Sequence, residues 1–511
     1  MDNFRFTTLC VFASSLVVSG CFNPPNSECE SDACAGTEGS ADSSGTTTTT
    51  AMGDSETSAA DSSSSGGDET FDSSGTTTGD EGPAPAECGN GRVEEEEECD
   101  EGEGNGDEPD ACRGDCVLAS CGDGIVDTGE QCDSEADDCL PDCTFDTIEF
   151  GPFPTATVAI GQPDLNSNTP NALGYIFSFP NGVLSHDGNV YIPNGQGAGT
   201  FIFNGVPAVS GVAPDDVLGR PGLQQPANAF GASSLGGFVH GLSVDDGQLV
   251  IADPEGPRVL VFDGVPTTDT PADVVTGQPN FDTQQSGVTQ DRLSDARDVF
   301  VANDRMVVAD TAANRVLVWN TLPGVNGALP VVVLGQANFD EGEANRGGDP
   351  AADTLAGPSG VWTDGSRIAV ADTQNHRVLV WDAFPTENGQ PADHVIGQAD
   401  MTGGDPGGGA DGFNRPQDLM FVGNRMYVAD QLNHRIMLFD GWPGSDGSQA
   451  DGVIGQSNFD NLASNDDDQD GASDEVPSGR TLARPVALHV DGGRLFVADA
   501  FNHRVVVFEG T

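Results

Sequence analysis

Residues 370–382 read ValAlaAspThrGlnAsnHisArgValLeuValTrpAsp, and this stretch decides how the chain is divided. Close copies begin at Val308, Val428 and Val497, and a weaker copy begins at Ile251. A GlyGln dipeptide follows a short apolar run every 58 residues, with one interval of 62, and one copy reads GlyArg. These glycines are Gly161, Gly219 (the GlyArg copy), Gly277, Gly335, Gly397 and Gly455. A fixed period of this length is typical of a repeat protein.

Each repeat has the pattern of four short strands. In the clearest one, apolar runs near 359–363, 368–372, 377–382 and 394–397 are separated by turn-forming residues. Four-stranded units repeated radially form a β-propeller, in which each unit is a blade packed against its neighbours. The first GlyGln strand, Thr157–Gly161, precedes all the others, and the last repeat lacks one. The sequence therefore predicts six blades, the last completed by the N-terminal strand.

The AspXXAsnHisArg motif with its flanking strands resembles the NHL repeat over roughly residues 155–511. The first repeat departs from the pattern, because residues 192–203 contain no Asp…Arg pair. The resemblance implies an all-β protein with a six-bladed NHL-like propeller over residues 150–511. It also implies binding of protein or glycan, although fold alone does not dictate function.

An aspartate and an arginine stand five residues apart in successive repeats. The predicted structural ion pairs are Asp372/Arg377, Asp430/Arg435 and Asp499/Arg504, with Asp310/Arg315 and Asp253/Arg258 as further copies. The adjacent histidines, His376, His434 and His503, are alternative catalytic candidates. Catalytic groups usually occur once rather than in every repeat, so a structural role is favoured.

The chain carries 82 acidic and 19 basic residues, a formal net charge of −63, and every base is arginine. This balance argues against nucleic acid and anionic membrane surfaces as partners, because both require basic patches. It indicates an acidic, extracellular protein.

Residues 1–21 have the pattern of a lipoprotein signal peptide. The apolar run Phe6–Val18 is too short to span a bilayer. It leads to LeuValValSerGlyCys, which resembles a bacterial lipobox with Cys21 as the lipidated residue. An ordinary secretory peptide is the alternative. Phe22 after Cys21 favours an outer-membrane lipoprotein exposed at the surface of the cell envelope and bound to the membrane only through its lipid.

Residues 22–87 are rich in Ser, Thr, Gly, Asp and Glu, which predicts a disordered stalk. Residues 88–143 contain two copies of one cysteine spacing and resemble the cysteine-rich repeats of myxobacterial surface proteins. Secretion favours disulfides over the alternative, zinc, but the spacing does not settle the connectivity. The predicted disulfide cysteines are Cys29, Cys34, Cys88, Cys99, Cys112, Cys116, Cys121, Cys132, Cys139 and Cys143.

Residues 465–471, AsnAspAspAspGlnAspGly, contain the first part of a calcium-binding loop. Asp466, Asp468 and Asp470 supply the first three carboxylates, and Glu475 (or Asp474) is available to close the cage. An EF-hand would require glutamate where Pro477 stands. Calcium is therefore the one predicted cofactor, and a merely acidic loop is the alternative.

The strands predicted to line the central axis align from Asn181, His240, Arg297, Ser359, Gln417 and Val486. In this alignment His240 and His489 fall at different levels, and no nucleophile or phosphate-binding motif is present. Asp298 and Asp418 share one level and form a candidate acidic pair. The favoured function is an envelope-anchored binding or scaffold protein, with a metal-assisted lyase or hydrolase and a purely structural surface component as alternatives.

Alternating strand directions place the long links between repeats on the same side as the AsnHisArg turns. These links are Asn280–Ser294, Asn338–Leu355, Asp400–Asn414 and Asn458–Leu482. Long, variable loops on a rigid scaffold often carry binding sites, whereas loops also lengthen by drift at little cost.

Overall fold

The computed structural model describes residues 148–173, 177–195, 199–225 and 228–510. The described residues all belong to one compact unit of the chain. The predicted signal peptide, stalk and cysteine-rich module lie outside them, together with Cys21 and the ten disulfide cysteines. In the described part, no helix combines the length and the apolar character that crossing a bilayer requires.

The described residues form twenty-four strands and a few short 3-10 helices. The strands are β1 (Val158–Ile160), β2 (Leu184–His186), β3 (Asn189–Pro193), β4 (Thr200–Phe203), β5 (Asp216–Leu218), β6 (Leu242–Asp245), β7 (Gln248–Asp253), β8 (Arg258–Phe262), β9 (Val274–Thr276), β10 (Ala296–Ala302), β11 (Arg305–Asp310), β12 (Arg315–Trp319), β13 (Val332–Leu334), β14 (Val361–Thr363), β15 (Ile368–Asp372), β16 (Arg377–Trp381), β17 (His394–Ile396), β18 (Pro416–Val422), β19 (Arg425–Asp430), β20 (Arg435–Asp440), β21 (Gly452–Ile454), β22 (Pro485–Asp491), β23 (Arg494–Asp499) and β24 (Arg504–Glu509). The 3-10 helices are Thr311–Ala313, Ala344–Gly347, Thr373–Asn375, Gln431–Asn433 and Ala500–Asn502.

These strands form six antiparallel four-stranded sheets, which are the six blades. Blades 1 to 5 are β2–β5, β6–β9, β10–β13, β14–β17 and β18–β21, each in sequence order. Blade 6 has the order β1-β24-β23-β22, and Val158 of β1 lies opposite Val507 of β24. The predicted six-bladed propeller, with its last blade completed by the N-terminal strand, is confirmed.

The core lies between the blades, in six apolar clusters that each join two consecutive blades. The cluster between blades 6 and 1 includes Ile160, Phe201 and Phe496, so the ring is continuous across the chain ends. Strands buried on both faces carry near-continuous apolar runs rather than an alternating pattern. This explains stretches such as ValLeuValTrp in β16, whose residues are all buried.

We call the side of the ring that carries the turns between the second and third strands of each blade the upper face, and the opposite side the lower face.

The described chain begins at Ile148 on the lower face. A Cβ on Gly510, just after β24, would stand 2.4 Å from Cγ2 of Ile148. The guanidinium of Arg425 donates to the Ile148 carbonyl (2.6 Å) and to the Glu149 carboxylate (2.9 Å). The two ends of the described chain, Ile148 and Gly510, therefore meet between blades 5 and 6.

Candidate functional site on the upper face

A buried ion pair at the upper end of each regular blade fixes the long links. In blade 4, Nε of Arg377 lies 2.7 Å from Oδ2 of Asp372, and both side chains are fully buried. Nη1 of Arg377 donates to the Met401 carbonyl (2.5 Å), and Nη2 donates to the carbonyls of Ala351 (2.9 Å) and Thr354 (3.0 Å). One guanidinium thus holds the link entering its blade and the link leaving it.

The same arrangement recurs in blades 2, 3, 5 and 6. The Nε–Oδ2 distances are 3.0 Å for Asp253/Arg258, 2.8 Å for Asp310/Arg315, 2.8 Å for Asp430/Arg435 and 2.8 Å for Asp499/Arg504. Burial raises the pKa of these aspartates, that of Asp430 to about 6, and the facing guanidinium acts in the opposite direction. The long links lie on the upper face, as the strand alternation predicts, because the turn arginines contact all four of them.

The repeated histidines are hydrogen-bond acceptors between blades. The Nδ1 atoms accept backbone N–H groups of the next blade: Arg415 to His376 (3.0 Å), Arg484 to His434 (3.1 Å) and Phe179 to His503 (3.2 Å). In blade 3, Oδ1 of Asn314 accepts the equivalent N–H of Gly357 (2.8 Å). All four acceptor residues have φ between 51° and 56°, a conformation that Asn and His tolerate better than most residues. Because asparagine replaces histidine here, the role is structural.

This contact predicts a pH dependence of stability. Burial and the Arg484 charge lower the pKa of His434 to about 4, and burial lowers the pKa of His376 and His503. Unfolded histidine titrates near pH ~6.5, so between that value and about pH 4 the unfolded chain binds more protons and acidification destabilises the fold. The free energy of unfolding should therefore fall between pH 7 and pH 4.5. Replacing His434 by asparagine should make this fall about 1–2 kcal/mol smaller, as measured by denaturant unfolding at the two pH values.

Wild type is the internal control for this experiment, because carboxylates that titrate in the same range are common to both proteins and cancel. Parallel loss of stability in the two proteins would contradict the assignment of His434 as a neutral acceptor.

The innermost strands surround a cavity of ≈ 20 Å³ at the axis, enough for water or a single ion. The cavity is lined by the six residues from which the axial strands were aligned, together with Asp298, Asp418 and Ala487. The lining residues are Asn181, His240, Arg297, Asp298, Ser359, Gln417, Asp418, Val486 and Ala487. His489 lies elsewhere, where its Nε2 contacts the Ser185 carbonyl (2.9 Å). The two histidines are therefore not brought together.

Asp298 and Asp418 do face the same cavity, and each bridges two blades. Asp298 accepts the N–H groups of Val299 (2.9 Å) and Val361 (2.8 Å), and Asp418 likewise accepts one from its own blade and one from blade 6 (both 2.8 Å). Burial and the neighbouring Asp418 charge raise the pKa of Asp298 well above its usual value, and burial raises the pKa of Asp418 to about 7. Both carboxylates are thus shifted toward the protonated form, while their hydrogen bonds connect the blades.

Asp466, Asp468 and Asp470 come together on the upper face, with one carboxylate oxygen of each within 4.8 Å of the others. Asp466 is buried, and its Oδ2 accepts the N–H of Gly471 (2.9 Å). The charge of Asp470 raises the pKa of Asp468. Glu475 is exposed and is not part of this group. The three aspartates form an oxygen-rich set of the kind that suits a hard cation.

The link that carries these aspartates is fixed at both ends. Near its start, the amides of Asn465 and Asn502 exchange two hydrogen bonds (3.0 and 2.8 Å). Near its end, Nη2 of Arg504 donates to the carbonyls of Ser478 (3.0 Å) and Thr481 (2.9 Å). The carboxylates therefore project from an anchored loop.

Four residues around the cavity mouth, which we call the rim, have a backbone conformation that no feature of the sequence indicates. Phe179, Phe238, Arg415 and Arg484 each lie two positions before the aligned axial residue and have φ of 52°, 63°, 59° and 55°. Left-handed backbone at such residues is costly and is concentrated at functional sites. Phe238 is 51% exposed, and both arginines are exposed. The rim thus presents an aromatic ring and two cations to solvent.

No family model matches the chain, and no curated protein matches it. Solved structures that resemble it include three that each match 70% of its length. They are the WD40 β-propeller domain of Doa1 (10% identity, 96% of that chain, TM-score 0.36), the computationally designed protein Ika8 (12%, 99%, 0.35) and a protein of unknown function from Bacteroides thetaiotaomicron VPI-5482 (13%, 74%, 0.39). Similarity at this level says nothing about a ligand or an activity. The chain is an all-β, six-bladed propeller, and no family is established for it.

Proposed function

We propose that the protein is an envelope-anchored extracellular binding or scaffold protein that uses its upper face to bind protein or glycan. The observation that supports this most is the set of buried Asp–Arg pairs, which hold long links of differing sequence on a rigid ring. Loops presented in this way are a common form of binding site. The net charge of −63 and the absence of lysine disfavour nucleic acid as the partner.

The position of the chain entry supports the same proposal. Ile148 is buried on the lower face, and Arg425 binds its carbonyl at 2.6 Å. The described chain therefore begins on the face opposite the rim and the four long links.

Binding on glycan and protein arrays tests which face acts. Replacing the rim residues Phe238 by serine and Arg415 by alanine should weaken binding at least about tenfold, in line with the loss of a central contact. The matched control is Val325→Ser with Leu329→Ser, which alters apolar residues 68% and 48% exposed in the lower-face link between β12 and β13. Retained binding in the rim variant and loss in the control would overturn the proposal.

We further propose that calcium occupies the group formed by Asp466, Asp468 and Asp470 and orders the link 458–482. A divalent cation would relieve the repulsion that raises the pKa of Asp468. Titration calorimetry should give a binding signal in the wild type, and thermal unfolding should shift upward with calcium. Both effects should disappear in Asp468→Ala/Asp470→Ala.

The matched control for calcium is Asp349→Ala/Asp411→Ala, which removes the same charge from exposed positions of two other upper-face links. A calcium response that is equal in both double variants would indicate general charge screening rather than a site. Glu475→Ala distinguishes the predicted fourth ligand, since weaker binding in this variant would show that Glu475 moves in to complete the cage.

A further inference from the structure

A glutamine occupies the same position in five blades, and four of the five side chains are buried, whereas Gln398 is half-buried. In blade 3, Nε2 of Gln336 donates to the carbonyls of Asn314 (2.8 Å) and Glu343 (3.0 Å), which connects the upper turn to the link that leaves the blade. The equivalent glutamines make two such bonds each: Gln162, Gln278, Gln398 and Gln456. In blade 1 this position is Arg220.

Arg220 also supplies the guanidinium that the ion-pair arginine supplies in the other blades and that blade 1 lacks at its upper turn. In the strand register, Thr200 lies opposite Pro193 as Ile436 lies opposite Ala429 in blade 5. Gly199, which precedes Thr200, therefore corresponds to Arg435, the arginine of the ion pair. Nε of Arg220 lies 3.4 Å from the point where a Cβ on Gly199 would stand. The guanidinium also lies 5.2 Å from the ring centre of Phe201. Arg220 therefore brings a guanidinium to the upper end of blade 1 from a different strand.

No carboxylate of the described residues forms an ion pair with this guanidinium. Arg220 is 3% exposed, and its Nε and Nη2 have no hydrogen-bond partner in the part of the chain that the structure describes. The aspartate of the other blades is Asn194 here, whose Oδ1 accepts the N–H of Ser178 (2.9 Å) but which carries no charge. In the sequence, residues 196–198 (GlnGlyAla) and 226–227 (ProAla) contain no acidic residue.

An unpaired buried charge is strongly destabilising, and arginine cannot lose its proton in a protein. Burial lowers the pKa of Arg220 but leaves the side chain charged. In the five other blades a carboxylate oxygen binds Nε at 2.7–3.0 Å. We propose that Arg220 forms a buried anion site in blade 1, in which a monovalent anion takes the place of that carboxylate. The anion is a chloride-sized ion or the carboxylate group of a ligand.

The test measures thermal unfolding of the full chain at constant sodium concentration while methanesulfonate is replaced by chloride, bromide or acetate. The wild type should show a saturable rise of roughly 1–3 °C. Arg220→Gln restores the glutamine found in the other five blades and should abolish the rise. This variant also corrects for general salt effects, because its surface is unchanged.

A response to acetate alone would identify a ligand carboxylate as the anion, and a response to halides would identify a free ion. An equal response in wild type and Arg220→Gln, or no response to any of the three anions, would overturn the proposal. If the variant does not fold, crystals of the wild type soaked in bromide and in acetate provide the test. The absence of both anomalous bromide scattering and acetate density beside the Arg220 guanidinium would then disprove the proposal.

Discussion

Replacing Arg377 by methionine is expected to lower the free energy of unfolding by about 3–5 kcal/mol, because it leaves a buried aspartate without its partner. Methionine retains an apolar stem of similar length, so the loss reflects the charge and its hydrogen bonds. Arg377 makes one bond to Asp372 and three to carbonyls of the two adjoining links. Urea or guanidinium unfolding measures the change.

The matched control is Arg494→Met, which removes an arginine whose side chain is 41% exposed and whose carboxylate partner Glu509 lies 3.7 Å away. An exposed pair contributes about 0–1 kcal/mol, so this variant should be close to wild type. Adding Asp372→Asn to Arg377→Met should recover part of the loss, since a neutral amide still accepts the N–H of Ala356. Equal stability of Arg377→Met and Arg494→Met would contradict the anchoring role.

Hydrogen exchange locates the effect within the molecule. In Arg377→Met the links 338–355 and 400–414 should exchange faster, because their carbonyls at Ala351, Thr354 and Met401 lose a donor. Strands β22–β24, two blades away, should be unchanged. Uniform acceleration would mean that the ring opens as a whole, and that the arginine does not act locally on the two links.

The ring itself was predictable from the sequence because of its repetition. Each blade must bury its faces against neighbours, so the apolar runs, the turn residues and the interval between repeats all point to the same architecture. The role of the AspXXAsnHisArg motif followed from the same regularity. The structure adds its physical reason: the His376 acceptor and the Arg377 donors connect one turn to the next blade and to two links.

Features that depend on direction in space were not predictable. The left-handed backbone at Phe238 and Arg415 arises from how each link descends to the axis, and no residue type there indicates it. Arg220 supplies the guanidinium that is missing at Gly199, although the two positions are 21 residues apart in the sequence. Spacing alone cannot relate them. The place of Glu475 outside the group of three aspartates was not predictable either, because spacing alone does not show how the loop runs after Gly471.

Deleting Thr155–Gly161 is expected to cost most of the stability of the propeller or to cause aggregation. The deletion removes β1, whose three residues are at most 4% exposed, and leaves the edge of β24 unpaired. Loss of Val158 and Ile160 also opens the cluster that joins blades 6 and 1. Burial of side chains of this type contributes about 1.5–3 kcal/mol each, against a total stability of about 5–15 kcal/mol. The measurements are the unfolding midpoint and light scattering.

A circular permutant separates loss of closure from loss of residues. Gly510 lies beside Ile148, so a short glycine linker from Thr511 to Ile148 would make β1 continuous with β24 without moving either strand. New termini fit between Gly348 and Asp349, both exposed in an upper-face link. The permutant should unfold at or above the midpoint of linear 148–511, because a short local connection then joins β24 to β1. A stable deletion protein beside an unstable permutant would show that β1 does not close the ring.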